Sequence, residues 1–206
     1  MCDDEARMRH RAAHCRRLVV QVSAGPGMIG SFAGSEEGVC RMGLVSRQQM
    51  DADVDFYALW LEDADDVSER DEPGDGASFV AVCGQRVYLQ SGGHTHTPAL
   101  SVEVWDDQPP VDGGVWEAQG EAGMDVPSGQ VGVWTYGGPC EDAIELGEAG
   151  RRWHVRAYVS GREQVRELAE QEVAVHAERY LLQFWPVGHP QVLAEEGTGG
   201  VVASVL

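Results

Sequence analysis

Residues 153–159 read Trp-His-Val-Arg-Ala-Tyr-Val, placing Trp153, Val155, Ala157 and Val159 on one side of an extended chain and His154, Arg156 and Tyr158 on the other. A two-residue period marks a strand with one buried face, because a helix would scatter the same apolar set around its circumference. The pattern recurs. Val102 and Val104 alternate with Ser101, Glu103 and Trp105, Val131 and Val133 face away from Trp134 and Tyr136, and Tyr180, Leu182 and Phe184 form a further inward set. Residues 78–83 and 86–90 flank Gly84 and Gln85 as a tight hairpin. Shorter runs at 18–23, 55–61 and 116–123 complete the set of expected strands. The one helical pattern covers 161–178, where Val165, Leu168, Ala169 and Val173 make an apolar stripe. These elements predict an all-β protein, mainly an antiparallel β-sandwich, with one short helix and flexible termini. The expected division is a basic flexible arm at 1–17, a sandwich domain at 18–187 with an acidic, solvated loop at 62–76, and a flexible tail at 188–206.

Charge narrows the functional classes. The chain has fifteen Arg, no Lys and 34 Asp plus Glu, a formal net charge of −19. Eleven of the acids fall within residues 51–76, and eleven more lie in 87–150, which contains no Arg. Such a surface repels phosphates and anionic lipid and attracts cationic partners at rates that fall with salt. Nucleic-acid and membrane binding are therefore not expected, and a basic protein partner is. Asp63, Asp65, Asp66, Glu103, Asp106 and Asp107 are the candidate charged contacts. Trp105 and Trp134, opposite the aliphatic faces of their strands, are the candidate anchors. Five scattered Cys with no CxxC pair suggest free thiols, and no run approaches a membrane span, so a cytoplasmic location is expected.

Other constellations point to metal chemistry. His94 and His96 flank Thr95, and on a strand both imidazoles would face one way, with Glu103 as a third ligand for a divalent transition metal in a cupin-like site. Asp51, Asp53, Asp55 and Glu62 match calcium-loop spacing, but Phe56 occupies the position that needs Gly. His10, His14, Cys15 and Cys2 make a weaker soft-metal set. No nucleophile elbow is present, and the Arg group at 151, 152, 156, 162 and 166 is expected to pair with Glu163, Glu167 and Glu170.

The segments 100–107, 150–162 and 178–186, with Trp116 between the first two, share a strand cadence. Across residues 80–187 this resembles small acidic bacterial β-proteins of the competence protein J type, whose named members inhibit a DNA-entry nuclease. The resemblance implies an inhibitor or immunity-like protein that masks a basic active site with carboxylates, and it carries over no catalytic residue or cofactor. The leading expectation is a non-catalytic acidic binding module that neutralises a basic partner such as a nuclease or toxin. The alternatives are the His94–His96 metal-binding or metal-dependent enzyme and a structural or assembly protein.

Overall fold

The computed structural model describes residues 18–21, 43–69, 71–74, 78–169 and 173–188. Among them the chain forms β1 (Leu18–Gln21), β2 (Leu44–Asp51), β3 (Val54–Asp55), β4 (Ala58–Asp63), β5 (Val80–Cys83), β6 (Arg86–Gln90), β7 (Thr95–Trp105), β8 (Ala118–Val126), β9 (Gln130–Thr135), β10 (Gly138–Pro139), β11 (Ile144–Glu145), β12 (Arg151–Ser160), α1 (Arg162–Leu168) and β13 (Val175–Pro186). The expected arm at 1–17, the tail beyond 188 and the Cys2–His10–His14–Cys15 set lie outside the described residues.

The fold is all-β with one short helix, and its mixed sheet is nearly closed, like a barrel. One layer runs β1-β2-β7-β13-β12-β8; the other is built from β3, β4, β5, β6, β9, β10 and β11. Strand β7 belongs to both. Thr95 and His96 pair with β3, whereas residues 99–105 pair with β2 on one side and β13 on the other. Pro98 marks the changeover, where a residue without an N–H interrupts the ladder at little cost. The β7–β13 pairing is parallel, and the other described pairings are antiparallel. At the far side β5 and β8 meet through packing. A Cβ at Gly120 would lie 2.6 Å from Val80 Cγ2, so the glycine lets the two layers approach.

The alternation predicts the core correctly. Trp153, Val155, Ala157 and Val159, together with Val102, Val104, Val131, Val133, Tyr180, Leu182 and Phe184, point into one apolar cluster between the layers. Two elements differ from expectation. The helix is confined to Arg162–Leu168, because the chain from Val175 onward pairs with both β12 and β7 and extends into a strand. Residues 55–61 are not one strand: the chain reverses at Phe56 and Tyr57, with Asp55 opposite Ala58.

Candidate functional site

Among the described residues, the β3–β4 reversal is where two consecutive non-glycine residues take positive φ. Phe56 and Tyr57 both have positive φ, 51° and 64°, as in a type I′ turn, which is normally built from Asn, Asp or Gly. The turn is held from outside. His94 O accepts from Tyr57 N at 3.5 Å, Ser91 N donates to Tyr57 O at 2.8 Å, and the Asp55 carboxylate accepts from Thr95 Oγ1 at 3.0 Å. Both rings nevertheless remain in solvent. Phe56 is 59%, Tyr57 49% and Tyr136 42% exposed.

These rings form one cluster with the residues beneath them. Phe56 contacts the His94 ring at 4.7 Å and the edge of Tyr136 at 5.6 Å, and Tyr57 meets His94 at 5.1 Å. Tyr136 packs on Trp60 at 5.4 Å, and Trp60 on Tyr88 at 5.5 Å. Strand register explains the lower tier, since Trp134, Trp60 and Tyr88 are cross-strand neighbours on β9, β4 and β6. Between the rings and the Pro73–Gly74 segment lies an open groove of about 220 Å³.

Two side chains fasten the acidic segment that leads to the Pro73–Gly74 wall. Arg86, almost fully buried, binds the buried Glu62 carboxylate and the Asp66 carboxylate, and donates to the carbonyls of Ser68 and Glu69 at 2.9 Å each. Tyr88 Oη donates to Asp71 O at 2.8 Å. Burial pushes the Tyr88 phenol up, and the neighbouring Glu72 charge adds to that. Burial raises the Asp66 carboxyl, but hydrogen bonds from Ser68 and the Arg86 charge outweigh it and leave it below the usual range. Residues 62–69 and 71–74 are thus held beside the sheet; Glu62 and Asp63 belong to β4 itself and are buried, while most of the described residues from 64 to 74 are exposed to solvent.

The residues expected to meet a partner fall into two groups. Asp63 is buried and accepts from Ser128 N, Ser128 Oγ and Asp65 N, and Asp66 holds Arg86. Glu103 is also buried, bound to Arg47 and accepting from Gln183 Nε2 and Trp105 Nε1. Asp65, Asp106 and Asp107 are exposed, although Asp106 accepts from Gly43 N at 2.7 Å. Trp134 is half-buried in the aromatic row beside the groove, whereas Trp105 lies on the part of β7 that pairs with β2 in the other layer. Sequence reasoning missed Phe56, Tyr57 and Tyr136 as a unit.

His94 and His96 do not share surroundings. His94 is exposed, with Nδ1 3.8 Å from Asp55, while His96 is buried and its Nε2 is 2.7 Å from Glu178 Oε2. Glu103 lies seven residues beyond His96, about 23 Å along an extended strand. Among the described residues, no group of three or more His, Cys, Asp or Glu is placed to hold a metal ion. Among the described residues, members of the Arg group pair with acids outside the helix: Arg151 with Glu148, Arg152 with Asp125 and Arg156 with Glu121.

The buried carboxylate of Glu178 gathers Ser91 Oγ at 2.6 Å, Gly92 N at 2.8 Å and His96 Nε2. Ser, His and Glu thus meet, but not as a nucleophile relay. The Glu178 carboxylate itself takes the Ser91 hydrogen, His96 stands 3.4 Å from Ser91, and all three are sealed from solvent. Burial pushes the Glu178 carboxyl up, but its hydrogen bonds from His96, Ser91 and Gly92 N–H outweigh that and leave it below the usual range. The cluster joins the β6–β7 loop to β13.

No protein-family model matches the chain, and no curated protein matches its sequence. Its architecture does have solved counterparts. The crystal structure of ComJ, inhibitor of the DNA-degrading activity of NucA from Bacillus subtilis, superposes with a TM-score of 0.51 at 10% identity, over 72% of this chain and 100% of that one. The two proteins share a fold. That is the resemblance carried by the strand cadence. A protein described as crocagin biosynthetic gene J gives a TM-score of 0.46 at 13% identity, over 68% of this chain and 96% of that one.

Proposed function

We propose that the protein is a non-catalytic binding module that docks on a basic protein through the Phe56–Tyr57 turn and its acidic rim, and that it inhibits or neutralises that partner, a nuclease or toxin being the best fit. The observation that carries this reading is the pair of exposed aromatics at positive φ. A fold has no packing reason to hold Phe and Tyr in the left-handed region and leave their rings in water, and strain of this kind clusters at functional sites. Exposed aromatics inside a charged rim are the composition of a protein-binding hot spot. The formal charge of −19 favours a cationic partner, and the fold shared with ComJ, itself an inhibitor of a nuclease activity, agrees with an inhibitory role.

The test is a tagged capture from native cell extract at low and moderate salt, run in parallel with wild-type protein and Phe56→Ala. The expected result is one stoichiometric basic protein, retained at moderate salt by the wild type and lost by the variant, whose activity falls when the module is added back. Equal capture by both would move the docking surface elsewhere. Failure to retain any basic protein at moderate salt would overturn the binding-module reading itself.

A further inference from the structure

Resting on that docking reading, we infer that the groove between Phe56, Tyr57, Tyr88 and Tyr136 receives an arginine side chain from the basic partner. Size comes first. About 220 Å³ is below the ~300–1,000 Å³ of small-molecule and cofactor pockets, and it suits one long side chain. The walls come second. Aromatic faces carry negative quadrupole charge, and a cation within about 6 Å of a ring centroid is attracted to it. Here several rings from three separate segments border one opening.

Charge around the groove comes third. Glu72, which is exposed, immediately precedes the Pro73–Gly74 wall, and Asp55 begins the aromatic turn. Among the described residues, Arg86 lies beneath this region and is bound to both Glu62 and Asp66. A planar guanidinium stacks on tyrosine and phenylalanine faces and is more weakly hydrated than an ammonium, so it loses less on entering a half-open slot.

The probe is a set of capped Gly-X-Gly peptides with X as arginine, lysine or citrulline, titrated into the whole protein while ring and methyl resonances are followed by NMR. Citrulline keeps the shape and hydrogen-bonding head of arginine without its charge. The arginine peptide is expected to shift the Phe56, Tyr57 and Tyr136 ring signals and to bind roughly two- to thirtyfold more tightly than the citrulline peptide. Tyr136→Leu, which keeps apolar bulk but removes a π face, should weaken the arginine peptide and leave the citrulline peptide unchanged. Phe56→Leu repeats this test at an exposed position, and unchanged core methyl signals verify the fold of each variant.

Equal binding of arginine and citrulline, shifts confined to other surfaces, or a silent groove would overturn the arginine slot, and tighter lysine binding would overturn the choice of guanidinium. The two readings fail separately. If the peptides fail while capture of a basic protein still depends on Phe56, the docking surface stands without the slot. If capture is also insensitive to Phe56, both fall.

Discussion

At Phe56 and Tyr57 the side chains and the backbone make opposite demands. A non-glycine residue in the left-handed region costs on the order of 1–2 kcal/mol. Phe56→Asn combined with Tyr57→Gly supplies the residues a type I′ turn prefers, at the cost of contacts from rings that are about half exposed. The double variant is expected to gain about 1–2 kcal/mol, seen as a higher urea midpoint with an unchanged slope, while partner capture disappears. A lower midpoint would make the aromatic turn a structural staple. Arg86 shows the opposite case, a charge the fold requires. Arg86→Met leaves Glu62 buried without its cation and should cost about 3–5 kcal/mol, and adding Glu62→Met should recover a large part of that. Neither feature was legible in the sequence. Phe56–Tyr57 lacks the Asn-Gly or Asp-Gly signature of a hairpin, so the chain from 55 to 61 reads as one strand. Nothing in the run of acids at 62–72 distinguishes Glu62 and Asp66, which bind an arginine from a different strand, from Asp65 and Glu72, which face water.

Among the elements, those with strict alternation were legible and those with a mixed buried face were not. β12 and the Tyr180–Phe184 part of β13 turn an alternating apolar set into the core. β2 turns Gln48 and Met50 inward, and Gln48 donates to Glu145 O, so its inward face looks polar in the sequence. The helical stripe at 165–173 was genuine as a pattern, but pairing on both flanks outweighs a few apolar contacts, and β13 begins at Val175. His94 and His96 illustrate the same limit. His94 precedes β7 at a bend, so the rule that alternate residues share a face does not reach it. The link between β13 and the β6–β7 loop also sets a pH response. Because the folded-state pKa of Glu178 lies below its ordinary value of 4.5, its ionised form stabilises the fold above that pH. That stabilisation is lost as pH falls through the lowered folded value. Urea midpoints should drop progressively below pH 4.5, and Glu178→Gln should be less stable at neutral pH while losing part of the acid-induced decline. An unchanged acid limb in the variant would assign the decline to other carboxylates.

For the whole molecule, closure of the barrel depends on where β7 changes partners and on whether β5 can approach β8 over Gly120, both long-range matters that no local pattern encodes. The charge, by contrast, was fully legible, and its consequence belongs to this scale because Coulomb steering sums over the surface. With the captured partner in hand, association should slow by roughly tenfold or more between low and high salt, while dissociation changes little. Asp63 and Asp66 are poor choices for testing this, since removing them breaks Ser128 and Arg86 contacts inside the fold. Asp65→Asn, Asp71→Asn and Glu72→Gln change exposed carboxylates of the same acidic segment. Together they should lower the association rate and flatten its salt dependence without altering the urea midpoint. Phe56→Ala should do the reverse, leaving association almost unchanged and raising the dissociation rate roughly tenfold or more, as expected of an anchor. If the three neutral substitutions leave the salt slope intact, steering comes from the other acidic stretch, residues 87–150. If Phe56→Ala slows association instead, the turn guides the encounter and the anchor lies elsewhere on the aromatic row.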